Sequence, residues 1–221
     1  MRDGFVKVAA VTPKIRVADT TYNAGVIVEG IREAAAAGAK VIVLPELVIT
    51  GYTCSDLFLQ EYLLEQAKRA LGTIAEETAE VDAILFVGLP LAYNGKLYNV
   101  AAVIYGGKIL GFVPKSYLPN YSEFYEKRWF TEAAMLIDES LTLSFQENIP
   151  FGTNLIFCAG DYKFGIEICE DLWVTIPPSS YLSLLGANII GNLSASNELV
   201  SKKDYRVSLV SNQSARCMSS Y

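Results

Sequence analysis

Histidine is absent from this 221-residue chain. Its absence excludes a Ser-His-Asp triad or a Cys-His pair built within the chain. It also leaves only four scattered cysteines, Cys54, Cys158, Cys169 and Cys217, to furnish a zinc site, so no metal is expected. Those cysteines form no C-x-x-C pair and no disulfide-dense spacing, which points to reduced thiols and a cytoplasmic setting. Positive charge is in deficit, with 18 Lys and Arg against 24 Asp and Glu, net −6, so neither a nucleic acid nor an anionic membrane is an expected partner. Long uninterrupted apolar runs are missing too. Leu172–Asn197 carries no charge, but Pro177-Pro178, Ser179, Ser180, Asn188 and Asn192 interrupt it, making a poor membrane span. The start, MRDGFVKVAA, has no apolar core of signal-peptide type. Gly106-Gly107 reads as a turn, since no phosphate-cradling glycine pattern follows it.

What is present is a hydrophobic fraction of 52%, enough for a sizeable core in one large domain or two small ones. Val6–Val11 reads as a first strand. Asp19-Thr20-Thr21 offers caps for a helix over Tyr22–Ala37, with Gly38 as its terminator, and Lys40–Leu44 follows as a buried strand. Helix, glycine, buried strand is the rhythm of an α/β layered fold. Ser55 is placed to cap a helix from Asp56 to about Glu80, with a break at Gly72. Ala83–Leu89 is another strand, Asn94-Gly95 a hairpin turn, and Leu97–Tyr105 with Lys108–Val113 a second hairpin. Buried-type and hairpin strands in one domain imply a mixed sheet. Pro114–Thr131 is an aromatic-rich ordered loop, and such loops tend to carry function. Ile137–Phe157 reads as short strands and turns, Ser180–Leu185 as a short helix, Ala187–Asn192 as a strand, and Asp204–Met218 as a helix.

The stretch Phe164–Trp173, FGIEICEDLW, anchors the functional reading. Phe164, Ile166 and Ile168 alternate with Gly165 and Glu167 as in a strand, and Cys169 stands where that strand runs out. Ligands in α/β sheets bind just beyond the carboxyl ends of strands. With no histidine available, a nucleophilic Cys169 needs a carboxylate or an amine as its base. Glu170 and Asp171 beside it would raise the thiol pKa unless a cation offsets them, and Lys115 is one candidate. Taken alone, each residue has an ordinary alternative. Cys169 can be an inert core thiol, as Cys54, Cys158 and Cys217 are expected to be. Glu46 can cap a helix or pair with a surface lysine, Lys115 can be a solvated turn residue, and Glu123 and Glu126 an exposed charged face. Three apolar strands end in polar clusters, at Glu46, at Cys169 and at Ser194–Asn197. If they neighbour one another in one sheet, the clusters meet at one rim.

In order and spacing, PELVITGY, KSYLPNY and ICEDLW resemble the three signatures of the nitrilase, or carbon–nitrogen hydrolase, superfamily. KSYLPNYSEFYEKRWF, EICEDLW, NLSASN and the DYR…SLVSNQSARC stretch are similar, within it, to the glutaminase domains of glutamine-dependent NAD+ synthetases, over essentially the whole chain. The resemblance implies an α/β fold, an αββα sandwich of two mixed sheets with helices outside. It implies Glu46 as general base and acid, Lys115 as cationic stabiliser, Cys169 as nucleophile and Glu126 as the glutamate that steadies the lysine. Tyr121, Ser196 and Lys202 fall on its glutamine-binding positions, and Glu170 lends a backbone N–H to the oxyanion. L-glutamine is then the substrate and the glutaminase step needs no cofactor. ATP and Mg2+ belong to a synthetase domain, normally in the same chain, that has no counterpart here. The resemblance further implies a hydrolase domain continuing beyond the point matching Tyr221, so the chain is expected to be C-terminally incomplete and to bury its open sheet edge in a homo-oligomer. Two other readings stand beside it: a stand-alone amidase of the superfamily acting on another small amide, and an inactive remnant serving as an assembly module.

Overall fold

Asp19 accepts a hydrogen bond from the Tyr22 N–H (3.1 Å) and so starts the first helix, α1 (Thr20–Ala36). Ala24, Ile27, Val28 and Ile31 recur at helical spacing and are all buried. Gly38, at φ +91°, ends the helix in the left-handed conformation that glycine adopts without strain. The computed structural model to which these elements belong describes residues 4–137 and 139–221. Asp138, inside the stretch expected to hold short strands and turns, and the first three residues of MRDGFVKVAA lie outside the described residues.

The first sheet has five strands in the order β1 (Val8–Ala10), β2 (Val41–Val43), β3 (Ile84–Tyr93), β4 (Lys96–Tyr105) and β5 (Lys108–Pro114). β1, β2 and β3 run parallel, while β3, β4 and β5 pair antiparallel. Both hairpin turns hold two consecutive residues at positive φ, Asn94-Gly95 and Gly106-Gly107, the twist that a two-residue turn needs. A two-stranded ribbon, β6 (Ser140–Leu143) with β7 (Gln146–Pro150), follows. The second main sheet is β10 (Ile189–Leu193), β9 (Tyr162–Ile168) and β8 (Phe157–Ala159), parallel between β9 and β10 and antiparallel between β8 and β9. Both sheets are mixed, as the sequence led one to expect.

The sheets face each other. Val41, Phe86, Val103 and Val113 of the first pack with Phe164, Ile166, Ile168 and Leu193 of the second. The Phe86 and Phe164 rings meet edge-on at 6.3 Å. Burying each such side chain stabilises the fold by roughly 1.5–3 kcal/mol. α1 and α2 (Glu61–Glu77) cover the outer face of the first sheet through Ile27, Ile31, Leu71 and Ile74. α3 (Pro178–Leu184) lies on the second through Leu182 against Ile190, and α4 (Lys202–Cys217) is fastened to α3 by Gln213 Nε2, which donates to Ser179 Oγ (2.9 Å) and Ser180 Oγ (3.0 Å). The result is the αββα layering. Among the described residues no helix is long and apolar enough to cross a membrane.

Three local expectations are corrected. Ser55 does not cap a helix: it sits at φ +53° within a 3₁₀ segment, Tyr52–Leu59, and α2 begins only at Glu61. Gly72 does not break α2: a glycine inside a helix costs only about 1 kcal/mol relative to alanine, and the Phe145 ring packs against it, 3.2 Å from where a Cβ would stand. The third concerns the strand ends. β2 belongs to one sheet and β9 and β10 to the other, so the polar clusters meet across the sandwich instead of along a single rim.

Candidate active site

Glu46 leaves the end of β2 on a loop pressed against β3. A Cβ on Gly88 would stand 2.4 Å from the Leu47 nitrogen and 2.5 Å from the Pro45 carbonyl oxygen, so only glycine permits this approach. Lys115 follows the last residue of β5, and its N–H donates to the Asn99 carbonyl of β4 (2.8 Å). Glu126 opens a short 3₁₀ turn inside the aromatic loop. All three are buried, at 2%, 1% and 1% exposure, which excludes a solvated turn for Lys115 and an exposed face or surface pair for the two acids. Glu123 alone of that group is exposed, its carboxylate meeting Asn197 Nδ2.

Lys115 Nζ donates to Glu46 Oε1 and to Glu126 Oε1, each at 2.7 Å. Burial works against the ammonium, but the two carboxylates more than offset it and hold Lys115 above the ordinary lysine range. Glu126, pushed up to about 7 by burial and by the Glu46 charge, is restrained by Lys115 and by the Tyr52 hydroxyl, which donates to Oε1 at 2.7 Å. Glu46 Oε1 also accepts from Asn99 Nδ2 (2.7 Å), whereas Oε2 accepts the Ala195 N–H at 3.2 Å.

Cys169 follows the last residue of β9 with φ +44°, a left-handed conformation that costs a non-glycine residue about 1–2 kcal/mol. Side chains hold it there. Asn192 Oδ1 accepts the Cys169 N–H (3.1 Å), and Asp171 Oδ2 accepts that of Ile168 (2.9 Å). Asp171 Oδ1 reaches across to the N–H groups of Ser116 (3.1 Å) and Tyr117 (2.8 Å), fastening the residues after Lys115 to the thiol's turn. Ser194 Oγ donates to Cys169 Sγ at 3.3 Å. Burial first, and the Glu46 charge second, push the Cys169 thiol up to about 12, against the pull of Lys115. The resting sulfur is therefore a thiol. Ultraviolet difference spectra against Cys169→Ser are expected to show no thiolate at this position between about pH 6 and 9. A thiolate band at neutral pH would mean that Lys115 outweighs burial and Glu46.

Cys169 borders a cavity of about 310 Å³ that Tyr52, Phe124 and Trp173 wall with aromatic surface. Tyr121, Glu170, Ser196 and Lys202 also line it. Tyr121 OH donates to Glu170 Oε2 at 2.9 Å, and burial and that carboxylate raise the phenol to about 12. Lys202 Nζ donates to Asn197 Oδ1 and stands 5.2 Å over the Trp173 ring. All eight residues singled out from the sequence thus gather at one place. Asn99, Tyr52 and Asn192 were missed, while Asp171 and Ser194 stood in the expected polar clusters with no bonding role assigned to them. A lone amide in the apolar run Leu97–Ile104 is the signal that points to Asn99; the others carry none. Of the cysteines taken as packing residues, Cys54 is buried, but Cys158 is exposed, because β8 alternates and Phe157 takes the inward position.

The carbon-nitrogen hydrolase family model matches residues 7–219, and the chain belongs to that family. Its curated relatives include the glutamine-dependent NAD(+) synthetase of Mycobacterium tuberculosis, 39% identical over 99% of this chain, and that of Homo sapiens, 33% identical over 83%. The chain spans 32% of the former's length and 27% of the latter's. The crystal structure of a glutamine-dependent NAD(+) synthetase from Cytophaga hutchinsonii superposes with a TM-score of 0.85 at 31% identity, covering 96% of this chain and 34% of that one. An amidase from Nesterenkonia sp., at 17% identity, shares the fold with a TM-score of 0.77, over 99% of this chain and 75% of its own.

Proposed function

We propose that this domain hydrolyses the side-chain amide of L-glutamine to glutamate and ammonia, and that the ammonia serves a synthetase domain that amidates deamido-NAD+ with ATP and Mg2+. One observation carries the reading: the buried Glu46–Lys115–Glu126 cluster reaches, through Glu126, a cavity that is also lined by the Cys169 thiol, a carboxylate, Glu170, and an ammonium, Lys202. Those opposite charges suit the two ends of a free amino acid, Lys202 taking the α-carboxylate and Glu170 the α-ammonium, with Tyr121 and Ser196 beside them. The similarity to glutamine-dependent synthetases supports the same choice.

Cys169 Sγ attacks the amide carbon while Glu46 takes its proton. Oε2 is the oxygen for this, since Oε1 is already committed to Lys115 and Asn99. The carbonyl oxygen gains a negative charge, which the remaining N–H of Lys115 and the backbone N–H of Glu170 stabilise. One such donor contributes about 2.7–4 kcal/mol. Collapse breaks the C–N bond, and the proton on Glu46 leaves with the nitrogen as ammonia. Water then attacks the thioester, giving its proton to Glu46, and the C–S bond breaks to release glutamate. Glu46 returns the proton to sulfur. No cofactor takes part in this sequence.

Lys202→Ala tests the substrate. Loss of a charge-assisted hydrogen bond of about 1.5–3 kcal/mol is expected to raise the glutamine KM about 10- to 100-fold with little change in kcat. Hydrolysis of an aliphatic amide without α-substituents should not respond. An unmoved glutamine KM, in a chain that hydrolyses another amide, would overturn the assignment in favour of an amidase with a different substrate.

A further inference from the structure

We propose that Glu167, Tyr221 and Asn192 form a hydrogen-bonded relay whose task is to position the Cys169 backbone, with Asn192 as the residue that holds it. Glu167 and Asn192 are register partners on the parallel strands β9 and β10. Ile166, Ile168 and Leu193 point into the core between the sheets, so the alternation turns Glu167 and Asn192 toward the helical layer. Glu167 is 1% exposed, and the chemistry above makes no use of it. A carboxylate so placed is costly unless both oxygens are occupied. Here they are. Oε2 accepts the Ser179 N–H at the start of α3 (2.7 Å), and Oε1 accepts the Tyr221 hydroxyl.

The polarity of the chain is then determined. An ionised carboxylate can only accept, so the Tyr221 proton is committed to Glu167. The phenol oxygen accepts from Asn192 Nδ2 (2.9 Å). That fixes the amide the other way round, Oδ1 facing the Cys169 N–H at 3.1 Å. With φ at +44°, Cys169 would relax out of the turn that aims its sulfur if this acceptor were lost or free to rotate. Burial raises the Glu167 carboxyl, and the Tyr221 and Ser179 donors pull it back toward the ionised form; burial and the Glu167 charge raise the Tyr221 phenol, which keeps its proton. None of the three side chains bonds to Glu46 or Lys115, so they are positioning residues acting through Cys169.

The inference rests on Cys169 as nucleophile but not on glutamine as substrate, and the experiment separates the two. Alkylation of Cys169 by iodoacetamide, followed by mass spectrometry of its peptide, needs no substrate. Tyr221→Phe keeps the ring and removes only the relay's hydroxyl. It is expected to slow alkylation about ten-fold and lower the kcat for amide hydrolysis equally, with KM within about two-fold. Unchanged alkylation in the folded variant overturns the relay, even if the melting temperature falls, because a purely structural tie would move stability alone. Should Tyr221→Phe lose its native circular dichroism, Asn192→Asp carries the test. It preserves shape and an acceptor for the Cys169 N–H, but faces the Tyr221 oxygen with a second acceptor. A similar loss of alkylation rate supports the relay, and a wild-type rate overturns it.

Discussion

Cys169→Ala is expected to abolish ammonia release from L-glutamine, by about 10⁴-fold or more, while leaving the native circular dichroism intact. The size of the effect follows from what remains. Glu46, Lys115 and the cavity persist in the variant, but an amide is a poor electrophile with a poor leaving group. Without sulfur there is no thioester to divide its hydrolysis into two lower barriers. The fold should survive, because Cys169 is partly exposed on the cavity wall and its anchors are backbone groups that alanine retains. A variant that still released ammonia at more than about a hundredth of the wild-type rate would exclude a thioester route. A folded wild-type chain inert toward glutamine would show that these residues do not by themselves constitute the enzyme.

Lys115→Met should be the most damaging substitution to stability. It leaves the Glu46 and Glu126 carboxylates, each within 2.7 Å of the lost nitrogen, buried together without a cation. Breaking a buried ion pair from one side costs about 3–5 kcal/mol. The sign of the pH dependence is fixed by the same geometry. Without the ammonium, Glu126, already held up to about 7 in the native chain, loses the cation that pulls its folded-state pKa back toward the unfolded value. The folded form then binds protons more tightly, so stability is greatest in acid and is lost as pH rises through the folded pKa. In the native chain Glu126, held up to about 7, already contributes with this sign. Thermal unfolding of Lys115→Met near pH 5 and near pH 8 checks it. The variant should fall further behind the wild type at the higher pH, and adding Glu126→Gln should recover part of the loss. A deficit independent of pH would mean that the side chain matters for its packing and not for its charge.

Much of this was legible in the sequence for identifiable reasons. Asn94-Gly95 and Gly106-Gly107 announce hairpins because few dipeptides accept two positive φ angles. Asp19 and Gly38 bracket α1 by capping chemistry that is local in sequence. The lack of histidine turns attention from Cys169 to carboxylates and amines, and the family resemblance then picks out Glu46, Lys115 and Glu126 among them. What stayed hidden depends on distant partners. An apolar run does not say which sheet it will join, so the meeting of β2 with β9 and β10 across the sandwich was not readable. Gly72 lies inside α2 against the ring of Phe145, a neighbour far along the chain that the local sequence does not announce. Asp171 looks like one more acid beside the thiol, yet burial pushes it up to about 8 while backbone N–H groups from two separate segments pull against that. Asn192 reveals its use only through Tyr221.

Glu46 and Lys115 hang from the first sheet, and Cys169 hangs from the second. Neither half contains a working fraction of the site. The proposed turnover therefore requires both layers, closed on each other. On the proposed chemistry, ammonia release would report the meeting of the two layers and stay blind to structure formed within either one.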